Sequence, residues 1–171
     1  TVCDNNPLTL QNIQPTYPEV SVTTCYDDVL DDKDIQGLVI ALPAEMHYEY
    51  AAKALRHGKD VFVEKPLALK VDQAAELCDL ADHKGRILMV GHLLRYHSAF
   101  IKLQELVESG ELGRIQYIYS NRLSLGKIRR EENSLWSFAP HDISMILALC
   151  HEMPDRVDAH GANYLHRSLA D

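Results

Sequence analysis

The residues best suited to chemistry follow a short apolar run near the middle of the sequence. The short run at residues 60–63, between Gly58 and Pro66, is typical of a buried strand of a parallel sheet. Glu64 and Lys65 come next, at the strand end where α/β sheets bind ligands. Because Pro66 keeps the preceding residue out of the helical region, we expect an extended Lys65. A lysine held there and partly desolvated is a candidate proton carrier; a surface ion pair is the alternative.

The composition excludes several classes of function. The 171 residues suffice for one domain, or for one and a half α/β domains. With 17 basic and 25 acidic residues the net charge is −8, which argues against a nucleic-acid partner. No apolar run approaches the roughly 18 residues of a membrane span, and no leader pattern opens the sequence. We therefore expect a cytoplasmic protein that has no membrane partner.

The cysteines and histidines are scattered along the sequence. The four cysteines form no C-x-x-C pair, which predicts buried, reduced thiols and no disulfide framework. The nine histidines show no spacing typical of metal ligands, so we expect no metal site.

Strands and helices alternate over the first half of the sequence. Strands are predicted at 1–3, 20–24, 37–41, 60–63 and 87–90, and helices at about 46–56 and from 71 onwards. The second helix should bury Val71, Ala74, Ala75, Cys78 and Ala81 and end at Gly85. This alternation predicts a parallel sheet wound with right-handed crossovers.

The pattern changes near residues 92–96, where we place a domain boundary. A helix is predicted around 100–107, a long alternating strand at 114–125, a charged loop at 126–133 and a helix from about His141 to Cys150. An extended stretch at 156–164 follows. The second half is therefore predicted to be α+β with an antiparallel sheet.

The run GLVIALPAEMHYEYAAKALRHGKDVFVEKP, residues 37–66, resembles the glucose-fructose oxidoreductase / inositol 2-dehydrogenase (Gfo/Idh/MocA) family. Further matches are Gly91-His92 with Arg95-Tyr96, the turn at 110–113, and Pro140-His141-Asp142. The resemblance implies a partial NAD-binding Rossmann domain over 1–92. It implies a partial α+β substrate or oligomerisation domain with a mainly antiparallel sheet over 93–171.

The sequence departs from the family pattern in two respects. The family begins with a strand and a G-x-G-x-x-G turn that seats the cofactor pyrophosphate, and it carries further strands beyond the equivalent of residue 171. We therefore expect an internal fragment that binds NAD poorly by itself. The family also often has an aspartate four residues before its active-site histidine, where this sequence has Ser137.

The resemblance implies a cofactor site assembled at strand ends. Asp4 would accept the adenosine-ribose hydroxyls and favour NAD over NADP, although it could be only a turn-initiating aspartate. His47 could approach the cofactor or simply begin a helix, and Glu64 would face the nicotinamide ribose. The complete implied cofactor set is Asp4, Ala41, Pro43, His47, Glu64, Lys65, Pro66, His92 and Arg95.

Catalytic and substrate-binding roles follow from the same resemblance. Lys65 would hydrogen-bond the substrate hydroxyl beside the carbon that loses hydride. His141, predicted at a helix start that favours neutral imidazole, would take the proton, or it could be a cap residue beside Asp142. Arg129 and Arg130 would bind a diphosphate or carboxylate unless they belong to a solvated loop, and Trp136 would line the pocket or the core.

The implied activity is NAD-dependent oxidation of a secondary hydroxyl of a sugar. Residues 121–122, 129–133, 135–137 and 164–166 resemble a branch that works on nucleotide sugars, which points to a UDP-linked N-acetylated sugar or uronate. Two alternatives stay open: an NAD-using glycosidase of the same family, and a dinucleotide-binding regulatory protein without turnover. The expected partners are a sugar or nucleotide-sugar substrate and further copies of the chain in a homo-oligomer.

Overall fold

The computed structural model describes residues 1–123 and 133–164. The chain divides into two compact units, Thr1–Gly91 and a second that begins at His92.

The first unit alternates strands and helices throughout. Its elements are β1 (Val2–Cys3), α1 (Pro7–Ile13), β2 (Val22–Thr23), α2 (Tyr26–Asp31), β3 (Gly37–Ile40), α3 (Ala44–Arg56), β4 (Asp60–Val63), α4 (Val71–Lys84) and β5 (Leu88–Val90). β1 pairs with β2, and β4 lies between β3 and β5, with every pairing parallel. The predicted Rossmann-like parallel arrangement is therefore confirmed.

Helices α1 and α2 were not predicted from the sequence. Asn6 caps α1, because its side chain accepts a hydrogen bond from the backbone N–H of Leu8 at 3.0 Å. Pro7 takes the first helical position, where a missing N–H costs nothing. Asp27 and Asp28 lie in the first turn of α2, where their negative charges interact favourably with the positive end of the helix dipole. Asn6 and Pro7 together therefore mark a helix start.

Helix α4 ends as predicted but buries a different face. Gly85 adopts the left-handed conformation, with φ of 59°, that a helix C-cap commonly uses. Leu77 and Ala81 are buried, whereas Val71 is 88% exposed and Cys78 is exposed as well. The apolar face predicted from Val71, Ala75 and Cys78 is therefore wrong, because Leu77 sets the inward direction of the helix.

One apolar core joins these helices to the larger sheet. Small residues of α3 lie against β4 and allow the helix to approach the strand closely, so that Leu55 is completely buried. The buried cluster comprises Leu30, Ile40, Ala51, Ala52, Ala54, Leu55, Val61, Val63, Leu77 and Ala81. Burial of a leucine side chain of this kind contributes roughly 1.5–3 kcal/mol. The packing fixes β3 and β4 rigidly side by side.

The second unit is helical in its described part. A 3₁₀ turn (Leu93–Tyr96) packs against α5 (Ser98–Glu108) and α6 (Ser134–Cys150). Residues 115–123 have no regular secondary structure, expose Tyr117 and Tyr119, and form no β-ladder with other described residues. The described residues therefore show parallel sheets alone, and the antiparallel sheet predicted for this unit is not observed. Alternating residues give a segment strand propensity, but a strand also needs a partner.

The start of α6 also differs from the prediction. The helix begins at Ser134, because the Asn133 side chain accepts a hydrogen bond from the backbone N–H of Trp136 at 3.0 Å. Pro140 lies inside the helix, where it removes one backbone donor. His141 is consequently an interior residue of α6, and the predicted helix-start environment for its imidazole is wrong. Among the described residues, no helix is both long and apolar enough to cross a bilayer.

Candidate active site

The carboxyl ends of β3 and β4 meet at one edge of the three-stranded sheet. Ile40 pairs with Val63 in register, and both strands stop there. The backbone N–H of Glu64 still donates to the carbonyl oxygen of Ile40 at 2.9 Å, which extends the ladder by one bond. The residues that follow β4 are thereby anchored to the adjacent strand before the chain turns.

Lys65 lies immediately after this anchor. It is half-buried, and its backbone N–H donates to Oε2 of Glu64 at 3.3 Å. The peptide bond between Lys65 and Pro66 is cis, and Pro66 is buried. The lysine is therefore held between a ladder bond on one side and a buried proline on the other, beyond the carboxyl end of the central strand.

The Glu64 carboxylate occupies space next to Gly91, which follows β5. The backbone N–H of Gly91 donates to the carbonyl oxygen of Val63 at 2.8 Å. A Cβ atom at position 91 would lie 3.1–3.2 Å from the Glu64 carboxylate atoms. Because glycine has no side chain, position 91 leaves room for this carboxylate. The sequence marked Gly91 as part of a family motif but did not indicate this role.

His47 is completely enclosed. It is 1% exposed, and its two ring nitrogens lie against backbone carbonyl oxygens. Nδ1 is 2.6 Å from the oxygen of Pro66, and Nε2 is 2.7 Å from the oxygen of Leu42. The imidazole therefore connects the turn after β3 with the turn after β4.

The remaining predicted cofactor residues of this unit also follow strands. Asp4 comes directly after β1 and is partly exposed; its Oδ1 accepts a hydrogen bond from the backbone N–H of Asn6 at 2.8 Å. Ala41 and Pro43 are exposed after β3, and Pro43 is the N-cap residue of α3. Asp4 thus shapes the β1–α1 turn with one carboxylate oxygen.

His92 begins the second unit and lies against α6. Its Nδ1 is buried and has no hydrogen-bond partner among the described residues. Burial lowers the pKa of the His92 imidazole, and the positive charges of His141 and Arg95 lower it further. The neutral form of His92 is therefore favoured. Arg95 itself is exposed in the 3₁₀ turn.

Helix α6 carries the other predicted residues of the second unit. Ser137 is buried and lies one turn before His141, so both side chains are on the same face of the helix. Trp136 is partly exposed. Asp142 accepts a forked pair of hydrogen bonds from Arg122, at 2.9 Å from Nε and 3.1 Å from a terminal nitrogen.

The structure brings the predicted residues together in two groups. The first unit groups His47, Glu64, Lys65 and Pro66 around the end of β4, and the second places His92 near His141. Arg129 and Arg130 lie outside the described residues. No group of histidine, cysteine and carboxylate side chains in the described ranges could hold a metal ion.

Residues 1–92 match the family model described as the oxidoreductase family with an NAD-binding Rossmann fold, Gfo/Idh/MocA. This match covers more than half of the chain. The chain belongs to this family. Oxidoreductases of the family use NAD as their usual cofactor, and the resemblance inferred from the Glu64-Lys65-Pro66 block is confirmed.

Individual relatives support the same assignment. The chain is 38% identical over 107 residues to the uncharacterized oxidoreductase YhhX of Escherichia coli, covering 63% of this chain and 31% of that protein. It is 36% identical over 91 residues to a dTDP-3,4-didehydro-2,6-dideoxy-alpha-D-glucose 3-reductase of Streptomyces violaceoruber, covering 53% of this chain and 27% of the relative.

A crystal structure of an oxidoreductase from Klebsiella pneumoniae matches with a TM-score of 0.73 and 30% identity. The match covers 86% of this chain and 41% of that one. The chain thus spans well under half the length of these relatives.

Proposed function

We propose that this chain is part of an NAD-dependent dehydrogenase that oxidises a secondary hydroxyl of a sugar. The observation that carries the proposal is the position of Lys65. Its half-buried side chain follows the central strand of a parallel sheet, and the surrounding turn is fixed at Glu64 and at Pro66. Ligands of open α/β sheets bind beyond the carboxyl ends of the strands, which is the edge where Lys65 lies.

The residues present fit a dinucleotide in the first unit. Asp4 offers one carboxylate oxygen to ribose hydroxyls, which favours NAD over NADP. Ala41 and Pro43 leave exposed backbone after β3, and the Glu64 carboxylate is available next to Gly91 for the nicotinamide ribose. NAD, when bound, supplies the hydride acceptor for the oxidation.

Lys65 is assigned the hydrogen bond to the reacting hydroxyl. The ammonium group stabilises the negative charge that develops on the alkoxide oxygen as the C–H bond breaks, because opposite charges attract strongly in a partly desolvated site. His141 is assigned the removal of the hydroxyl proton at an imidazole nitrogen, which leaves a carbonyl product and a protonated ring. Ser137, one turn earlier on α6, replaces the carboxylate that often accompanies this histidine in the family.

The second unit supplies the remaining proposed contacts. Arg129 and Arg130 would bind a substrate diphosphate or carboxylate, Trp136 would contact the sugar, and His92 with Arg95 would contact the cofactor. We assign residues 1–92 to cofactor binding and residues 93–171 to substrate binding and homo-oligomer formation. The similarity to a dTDP-sugar reductase supports a nucleotide-sugar substrate, for which we propose a UDP-linked N-acetylated sugar or uronate. The scattered cysteines, which form no C-x-x-C pair, support a cytoplasmic location.

The decisive experiment uses protein expressed from its complete coding sequence. NADH formation at 340 nm is followed with UDP-N-acetylated sugars and UDP-uronates, with the free sugars as comparison substrates. Stoichiometric NADH with an oxidised sugar nucleotide supports the dehydrogenase. Release of free sugar without net NADH would identify the glycosidase alternative, and NAD binding without turnover of any sugar would identify the regulatory alternative.

A further inference from the structure

His47 has a position unlike that of the other histidines in the first unit. It lies in the first turn of α3, yet both ring nitrogens point at carbonyl oxygens outside that helix. His57 and His83, at the ends of α3 and α4, each contact a carbonyl of their own helix instead. Only the His47 imidazole, among these three, connects separate segments of the chain.

The two carbonyl groups belong to the two turns that border the candidate site. Leu42 is in the turn between β3 and α3, and Pro66 directly follows Lys65 after β4. The Lys65 turn is therefore held twice: the Glu64 backbone N–H donates to Ile40 before the lysine, and the Pro66 carbonyl faces His47 after it. Without the second contact, the chain beyond Lys65 would lose its polar connection to α3.

The chemistry of the imidazole suits this task. A backbone carbonyl can only accept a hydrogen bond, so the ring nitrogen that faces it must carry a proton, and a neutral imidazole carries one N–H. In the tautomer protonated at Nδ1 the ring donates to the Pro66 carbonyl, and the planar, rigid ring does so without the entropic cost of ordering a flexible side chain. Because the ring is fully enclosed, water cannot replace this donor at the Pro66 carbonyl.

We propose that His47 is the positioning residue of the Lys65 turn: it fixes the Pro66 carbonyl relative to the β3–α3 turn and thereby holds the Lys65 backbone in place. His47 thus acts on the reaction through Lys65 and does not itself touch the cofactor. The catalytic consequence rests on the function proposed for Lys65, whereas the mechanical consequence does not.

The test compares His47→Phe with His57→Phe in protein expressed from its complete coding sequence. Both substitutions remove an imidazole, one from the first turn of α3 and one from its C-cap, but His57 is exposed and its Nδ1 lies 2.8 Å from the carbonyl oxygen of Lys53 in the preceding turn. Hydrogen–deuterium exchange is measured for peptides covering residues 64–69 and, as an internal reference, β4. His47→Gln, which keeps one amide donor and a polar group, replaces the phenylalanine variant if that variant does not fold.

We expect the His47 variant to speed exchange of residues 64–69 by about tenfold or more, with β4 exchange unchanged. We also expect kcat to fall while KM for NAD stays within a few-fold. Exchange equal to that of His57→Phe would overturn the positioning role. If Lys65→Met retained full activity while His47→Phe still accelerated exchange, the function proposed for Lys65 would be wrong and the positioning role would stand.

Discussion

Gly91 and Glu64 form a complementary pair at the ends of adjacent strands. The absence of a side chain at Gly91 leaves the volume that the Glu64 carboxylate fills, since a Cβ there would come within 3.1–3.2 Å of its atoms. The Gly91 backbone donates to Val63, the residue before Glu64, at 2.8 Å, so the two positions cannot separate easily. The glycine therefore controls where this carboxylate is directed.

Gly91→Ala should displace the Glu64 carboxylate and weaken NAD binding by about 0.5–1.5 kcal/mol, the range for one lost hydrogen bond. The fold should tolerate the change, because the contacted atoms are the end of a flexible side chain. NAD affinity is measured by calorimetry. Gly37→Ala is the matched control, since its Cβ would meet Asp60 only at an ordinary 3.5 Å.

A double-mutant cycle identifies the route of this effect. If Gly91 acts through Glu64, Gly91→Ala should have almost no further effect on NAD affinity in a Glu64→Ala background. Additive losses would show that the alanine disturbs the site by another route.

Asp4→Ala should weaken NAD binding by on the order of 1.5–3 kcal/mol for each charge-assisted ribose bond that is lost. The alanine also removes the bond to the Asn6 N–H, so Asp4→Asn is the informative control, because the amide oxygen can still accept that bond. We expect the asparagine variant to bind NAD weakly too. Wild-type affinity in Asp4→Asn would make Asp4 only a turn residue.

Lys65→Met should lower kcat by roughly 10² or more and leave NAD affinity within a few-fold, because a positioned proton-transfer group contributes about that much. The methionine keeps the length of the side chain and removes its charge. Lys70→Met, at an exposed residue before α4, is the control for loss of a positive charge. Steady-state kinetics with the identified sugar substrate decide the matter; near-normal kcat would end the catalytic assignment.

The parallel arrangement of the first unit was predictable because its signals are local. Apolar runs marked β3 and β4, and Gly85 marked the end of α4 through a backbone conformation that glycine adopts readily. The same kind of local signal is present at Asn6 and Pro7, although no helix was predicted there from the sequence. Cap residue and proline together favour a helix start, and α1 could have been found from them.

The start of α6 was mispredicted because Pro140 was taken as its boundary. A proline can lie inside a helix when neighbouring contacts offset the lost backbone bond, and Asn133 provided an earlier cap. His141 therefore lies inside α6 and not at its start, so its ring does not have the helix-start environment that was predicted.

The surroundings of His47 could not be predicted from the sequence. Pro66 is distant along the chain, and only the pairing of β3 with β4 brings its carbonyl to the imidazole. The space beside Gly91 likewise depends on the register between β4 and β5. Residue types indicated where chemistry is located, whereas the roles of His47 and Gly91 required the three-dimensional contacts.

The ion pair of Arg122 with Asp142, next to His141, gives a pH-dependent prediction. Hydrogen bonding from Arg122 is the main influence that lowers the pKa of Asp142, burial opposes it, and hydrogen bonding from Ser120 together with the charges of Arg122 and His141 lowers it further. A carboxyl whose folded pKa is depressed stabilises the fold above its unfolded pKa of about 4, and that contribution disappears as pH falls through the folded pKa. Because Arg122 is 41% exposed, we expect about 1 kcal/mol or less.

Arg122→Gln should therefore raise the pKa of Asp142 towards its ordinary value of 3.8. It should also reduce the protection of the α6 backbone amides against hydrogen exchange, most clearly above pH 4. The chemical shift of the Asp142 carboxyl carbon is followed by NMR as a function of pH in wild type and variant. Amide exchange in α6 is compared at pH 6 and pH 3. The control is Arg156→Gln, which removes an arginine from a more exposed ion pair with Asp158. Superimposable Asp142 titration curves for wild type and Arg122→Gln would contradict the prediction, because the forked hydrogen bonds would then have no influence on the proton affinity of this carboxyl.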